Sequence, residues 1–240
     1  MLKSMVQRTF HSLGLELKRY KPSHSEEARF LAMLSAHRVN LVFDVGANTG
    51  QFGKRLRDSG YRGRIVSFEP LSREWNQLAN TSRGDSRWEI APRGAIGRED
   101  GEIEIHVAGN SASSSVLNML ESHRSASPES AYIGTERTEL RRLDSIGSSY
   151  LTPDSILLIK VDTQGFESEV LKGAPETLKM AVGLNLEMSF LPLYEGQPLF
   201  EEMFAEIRGL GFEAWDFKPA FVDYQTGRLL QADVTFFRAG

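Results

Sequence analysis

The sequence predicts an α/β fold: a mostly parallel sheet with helices on both faces, an antiparallel late strand and an added β-hairpin. Three stretches predict it. The run Leu41-Val42-Phe43 reads as a buried parallel strand, followed by the Gly46–Gly50 turn and a helix whose apolar face carries Phe52 and Leu56. Ile156–Val161 is a second apolar run, long enough for a central strand and ending in Asp162. Val182–Leu186 is a third, ending in Glu187. Strand, glycine turn and helix in that order open a nucleotide-binding sheet, and ligands bind such sheets outside the carboxyl ends of the strands.

Taken in order, residues 1–38 form a helical extension and residues 39–240 a single domain. Residues 1–20 mix Lys3, Arg8, Lys18 and Arg19 with Leu2, Met5, Phe10 and Leu17, without the continuous apolar core of a signal peptide. A basic amphipathic helix there would pack on its own domain, on a partner chain as in a homodimer, or on an anionic membrane surface. Ser25 is placed to cap a helix over Glu26–His37. After the first strand and helix, Ile65–Phe68 gives strand two, closed by Pro70, with Ser72 as cap of the next helix. Trp88–Ile96 reads as a third strand region broken at Pro92. Beyond the Asp100-Gly101 turn, Ile103, Ile105 and Val107 alternate with polar residues, as in a half-buried strand of the added hairpin. Residues 109–135, rich in Ser, read as a surface loop or as one that closes over substrate. A short strand from Thr138 to Leu143 follows, with Asp144 capping a brief helix. Phe166–Leu178 reads as one helix and Phe200–Leu210 as another, ended by Gly211. Phe212–Phe217 and Val234–Phe237 are late strands joined by a turn at Gln225-Thr226-Gly227.

Composition narrows the function. At 240 residues, 40% hydrophobic and 25% charged, the chain can bury a substantial core. A net charge of −4 gives no basic field for nucleic acid. Without cysteine there are no disulfides, thiolate metal sites or cysteine nucleophiles, which fits a cytoplasmic protein. No apolar stretch approaches the roughly 20 residues of a membrane span.

The chemistry concentrates at the strand ends. A dinucleotide fingerprint reads G-x-G-x-x-G, but here Asp44 occupies the first glycine position. A carboxylate aimed into the crevice repels a pyrophosphate and suits a ligand with an ammonium, such as S-adenosylmethionine. Glu69, nineteen residues beyond Gly50, stands where an acidic residue holds ribose hydroxyls. Lys160 and Asp162 close the second apolar run. The alternative there is an ion pair of Lys160 with Asp162 or Glu167 that only orders the loop.

These landmarks resemble the FkbM-type family of S-adenosylmethionine-dependent O-methyltransferases. The matching segments are F-D-V-G-A-N-T-G-Q from Phe43, F-E-P from Phe68, K-V-D-T-Q-G-F-E from Lys160, V-L-K-G-A from Val170 and L-N-L-E-M-S-F-L-P-L-Y-E-G-Q-P from Leu184. Gln164 departs from the glutamate that many members carry. The resemblance covers residues 40–238 and implies a Rossmann-like class I methyltransferase sheet acting on hydroxyls of sugars, glycolipids or natural products. It places Asp44, Gly46, Asn48 and Gln51 around the cofactor, with Glu69 at the ribose and Gly94, Ala95 and Ile96 near the adenine. It places Asp162 and Glu187 at the transferred methyl and acceptor, and Lys160, delivered with Asp162 at the same strand end, is a further catalytic candidate. Asp162 and Glu187 are then candidate ligands for Mg²⁺, which suits hard oxygen donors.

An alcohol is a weak nucleophile at neutral pH, so a base is chemically useful. His106 and His123 are candidates, with His123 in the Ser-rich segment the better placed. Ser115, Tyr194 and Glu195 are candidate acceptor contacts. A small-molecule, glycan or glycolipid acceptor would be expected, and the inner face of the membrane is one place to meet it. Two other readings stand beside this one: a NAD-dependent oxidoreductase, disfavoured by Asp44, and a non-catalytic cofactor-binding partner protein, disfavoured by the intact Asp44, Glu69 and Asp162.

Overall fold

The computed structural model describes residues 2–15 and 25–239. In chain order the elements are helices α1 (Leu2–Ser12) and α2 (Glu26–Ala36), then β1 (Leu41–Val45), α3 (Gln51–Ser59), β2 (Arg64–Phe68), α4 (Ser72–Thr81) and β3 (Trp88–Ile90). A second group follows: β4 (Ala95–Ile96), β5 (Gly101–Ala108), α5 (Glu121–Ala126), β6 (Tyr132–Arg141) and α6 (Leu143–Gly147). The chain then returns through β7 (Leu157–Val161), α7 (Glu167–Lys172), α8 (Pro175–Met180), β8 (Ala181–Ser189), α9 (Phe200–Gly209), β9 (Phe212–Asp223) and β10 (Arg228–Arg238).

The main sheet has the order β3-β2-β1-β7-β8-β10-β9. Neighbours from β3 to β8 are parallel, and β10 runs antiparallel between β8 and β9. Side chains alternate across it. Phe43, Ile159, Leu184 and Val234 join the larger core on one face, while Val42, Ile65 and Leu158 join Leu34 of α2 and Leu56 of α3 on the other. Strands β1 and β7 are buried along their whole length, which is why they read as apolar runs. Strand order reverses between them, because β1 leads outward to β2 and β3 before the chain crosses to β7. That reversal opens a crevice at their carboxyl ends.

The expected added hairpin forms, but β5 pairs with β6 across a long connection, and β4 joins β6 in a separate three-stranded sheet. The third strand region therefore splits at Pro92 between two sheets. Strand β6 begins at Tyr132, not Thr138, because its exposed first half gives no alternating apolar signal. Between β5 and β6 the Ser-rich segment holds two 3-10 turns and α5.

Several local expectations are corrected. Asp144 does not cap its own helix; its carboxylate accepts from the backbone N–H of Glu176 and Thr177 at 3.1 and 2.8 Å and so caps α8. Ser72 caps nothing; its N–H donates to Glu136 at 3.0 Å. The single helix over Phe166–Leu178 is two, broken at Gly173, where a Cβ would lie 1.9 Å from the Gly97 carbonyl oxygen. Ser25 does cap α2, accepting from Ala28 N–H at 3.3 Å. The basic amphipathic segment forms α1 with Val6, Leu13 and Leu15 exposed, while Leu17, Lys18 and Arg19 lie outside the described residues. Among the described residues no helix is long and apolar enough to cross a membrane.

Candidate active site

The crevice is built on one cross-strand pair. Asp44 and Lys160 are opposite one another in the β1–β7 register, on the face that carries Val42 and Leu158. The Lys160 ammonium stands 3.2 Å from Asp44 Oδ1 and 3.5 Å from Asp162 Oδ2, and donates to the Gly46 carbonyl at 3.1 Å. Burial alone would favour loss of its proton, but the Asp44 and Asp162 charges hold its pKa above the ordinary lysine value. Lys160 therefore stays charged and cannot serve as a base. It ties the glycine turn after β1 to the end of β7. Gly46 itself has φ +74°, and a Cβ there would lie 1.9 Å from the Asp162 carbonyl oxygen.

Glu69, at the end of β2, holds the same turn from the other side. It accepts from Asn48 N–H at 2.7 Å and from Leu71 N–H at 2.9 Å. Burial raises its pKa to about 7 against the pull of these two donors. Asn48 adopts φ +49°, a conformation a non-glycine residue rarely holds unless its surroundings fix it. Its side chain accepts from Thr49 N–H and Gln51 Nε2 at 2.9 and 3.0 Å and donates to Ser111 Oγ at 3.2 Å.

The turn after β7 is equally constrained. Gln164 has φ +56°. Its Nε2 donates to Asp162 Oδ1 at 2.8 Å and to Glu187 Oε2 at 2.7 Å, and its Oε1 accepts from Tyr194 OH at 2.8 Å. Its backbone carbonyl accepts from Ser115 Oγ at 2.6 Å. Glu167 does not pair with Lys160; it accepts from Thr163 and Gly165 N–H at 2.7 and 3.2 Å, and burial raises its pKa to about 7. Burial also pushes Glu187 well above the carboxylate range, with Asp162 and Asp233 adding to the shift.

Between these turns lies a cleft of about 250 Å³. Gly46, Asn48, Gln51, Glu69, Ala95 and Ile96 line it, and Ser115, Lys160 and Asp162 complete the expected set that does so. The Asp162 side chain is 33% exposed, enough to meet a ligand.

The remaining expected site residues fall elsewhere. Asp44 is fully buried beneath the cleft, its charge engaged by Lys160, so the expectation that it faces the ligand is corrected. His123 is buried between Tyr194 and Phe221 at ring distances of 5.1 Å, away from the lining, and burial drops its pKa to about 4. His106 stacks on Tyr132 and does not line the cleft either. Tyr194 is buried behind Gln164, and the half-buried Glu187 accepts from the same amide. Glu195 is exposed and accepts from Asn118 Nδ2 at 3.0 Å.

Sequence reasoning missed Gln164 and Glu167 as organisers of the β7 turn, and Phe52, Arg55 and Phe166 as walls of the cleft. The spacing of Phe52 and Arg55 on α3, one turn apart and facing the crevice, was the available signal.

The cleft suits S-adenosylmethionine. Lys160 and Asp162 line one part of it with an ammonium and a carboxylate, Asp44 lies buried beneath them, and Glu69 lines another part. The Mg²⁺ site does not fit. An octahedral cation needs its oxygens at about 2.1 Å, whereas the Gln164 amide nitrogen already stands between the Asp162 and Glu187 oxygens at hydrogen-bond distance. Among the described residues no three His, Asp or Glu side chains converge as a metal-binding group.

The 2-O-methyltransferase NoeI of Sinorhizobium fredii is 28% identical over 163 residues, 65% of this chain and 66% of that protein. The crystal structure of a Klebsiella pneumoniae protein with a provisional O-methyltransferase assignment superposes with a TM-score of 0.52 at 10% identity, covering 99% of this chain and 89% of that one. Aeropyrum pernix fibrillarin, in complex with natively bound S-adenosyl-L-methionine, gives a TM-score of 0.46 at 10% identity over 82% of this chain and 66% of its own. The chain thus spans about two thirds of the length of NoeI and of the fibrillarin chain. Residues 44–214 match the model of the methyltransferase FkbM domain, and the chain belongs to that methyltransferase family.

Proposed function

We propose that this protein transfers a methyl group from S-adenosylmethionine to a hydroxyl oxygen of a sugar, glycolipid or related natural product. The observation that carries the reading is the cleft at the β1–β7 reversal, with Glu69 at one end and the exposed edge of Asp162 at the other. A dinucleotide pyrophosphate would meet a net negative site whose ammonium is already shared by two carboxylates. The family match and the 2-O-methyltransferase name of the NoeI relative support oxygen as the methyl acceptor.

Bound in the cleft, S-adenosylmethionine supplies a methyl carbon already activated by its sulfonium, the sulfur leaving as a neutral thioether. The Glu69 carboxylate has lone pairs left for the ribose hydroxyls after Asn48 and Leu71 have donated to it. Gly46 and Asn48 shape the backbone around the methionine end. Asp162 accepts the hydrogen bond, and then the proton, of an alcohol brought to its exposed oxygen. Lys160 and Gln164 fix the orientation of Asp162 from two sides. Phe52 and Arg55 wall this cleft and also a second, smaller one lined by Glu26, Phe30 and Asp233.

Incubating the protein with isotopically labelled methyl donor and pools of glycans and glycolipids, followed by mass spectrometry, tests the reading. It expects a mass increase of one labelled methyl on a hydroxyl-bearing component, absent with Asp162→Asn. Label on nitrogen, or on no component despite tight cofactor binding, would contradict it.

A further inference from the structure

Asp162 follows the last residue of β7 and Glu187 lies in the adjacent parallel strand β8, one residue past the Val161–Leu186 pairing, and both carboxyl groups turn toward the same amide. Two carboxyl groups brought together in a poorly hydrated place need hydrogen-bond donors or a cation between them. Here the donor is a neutral amide. The two hydrogens of Gln164 Nε2 satisfy one oxygen of each carboxylate, at 2.8 and 2.7 Å. Its orientation is fixed by chemistry: Oε1 takes the Tyr194 hydroxyl, and the flipped amide would aim that oxygen at two carboxylates. Gln231 Nε2 adds a second donor to Glu187 Oε2 at 2.8 Å. The backbone of Gln164 is held as firmly, by Ser115 Oγ on its carbonyl and by its own left-handed conformation.

We propose that Gln164 is the positioning residue of this site, its amide standing where a bridging cation would otherwise hold Asp162 and Glu187, so that methyl transfer by this chain needs no divalent metal. The proposal rests on the methyl-transfer reading of the cleft, but its core is a statement about cation binding. Placing a carboxylate at position 164 would remove both bridging hydrogens and bring three acidic side chains to one point. Oxygen ligands from three such groups are what a hard divalent cation requires.

Calorimetric titration with MnCl₂, on the full chain without cofactor or acceptor, tests it. The wild-type protein is expected to bind no stoichiometric Mn²⁺. Gln164→Glu should bind one ion at least tenfold more tightly, and Asp162→Asn in that background should abolish the gain. Wild-type turnover should be unchanged by EDTA. Stoichiometric Mn²⁺ binding by wild type that Asp162→Asn removes, turnover lost to EDTA, or a folded Gln164→Glu with no gain in cation affinity would each overturn the proposal. Should Gln164→Glu fail to fold, Gln164→Met decides. Cofactor Kd should then stay within twofold while kcat falls at least tenfold, and an unchanged kcat would overturn the positioning role. Failure to bind S-adenosylmethionine would instead count against the methyl-transfer reading, leaving the cation result standing.

Discussion

The Lys160 ammonium and the Asp44 carboxylate face each other at 3.2 Å inside the protein, on neighbouring strands either side of the point where strand order reverses. The pair joins the two halves of the sheet at the base of the cleft. It also brings the Gly46 carbonyl and Asp162 under one cation.

Removing one partner of a buried pair leaves an uncompensated charge. Lys160→Met should therefore destabilise the fold by about 3–5 kcal/mol, measured by urea unfolding. Asp44→Asn should cost less, because Lys160 keeps Asp162 as a partner. Equal losses would mean that Asp162 does not share the ammonium.

Glu69 should make both stability and cofactor affinity depend on pH. Burial raises its folded pKa to about 7 from an ordinary 4.5, so its contribution to stability is fully present below 4.5 and is lost as pH rises through 7. The stability of Glu69→Gln relative to wild type should therefore improve across that window, by on the order of 3 kcal/mol. Cofactor affinity should move the other way in wild type, tightening as pH passes 7, since the ionised carboxylate is the better acceptor for ribose hydroxyls. Unfolding curves and calorimetry at pH 5, 6, 7 and 8 read both slopes.

Asp162→Asn should leave cofactor Kd nearly intact and lower kcat by about 10²–10⁴, the span of general-base contributions. An unchanged kcat would remove Asp162 as the proton acceptor.

Gly46→Ala should abolish cofactor binding and destabilise the protein by more than about 1 kcal/mol. The added carbon meets the Asp162 carbonyl oxygen, and the residue must hold a positive φ. Thermal unfolding with and without S-adenosylmethionine separates the two effects.

Much of this arrangement was legible in the sequence because buried parallel strands announce themselves. Leu41–Phe43, Ile156–Val161 and Val182–Leu186 could only be central strands, and ligand chemistry had to gather at their ends. The cleft at those strand ends is lined by Gly46, Asn48, Glu69 and Asp162. Which way a side chain at a strand end points was not legible. Asp44 sits inside β1, and its neighbour across the register is a lysine, so its charge is spent within the sheet. His123 and Tyr194 were misplaced for a related reason. A histidine and a tyrosine in loop sequence look accessible until the Ser-rich segment folds back and buries their rings together. Gln164 carried no signal beyond its departure from the family pattern, since two of its three partners, Glu187 and Tyr194, are distant in sequence.

Isothermal titration of the wild-type protein with S-adenosylmethionine, and separately with NAD, tests the central claim most directly. The account predicts one S-adenosylmethionine per chain, binding weakened at least tenfold by Glu69→Gln, and no heat with NAD. Binding of NAD that competes for the same cleft, or S-adenosylmethionine affinity indifferent to Glu69, would contradict it.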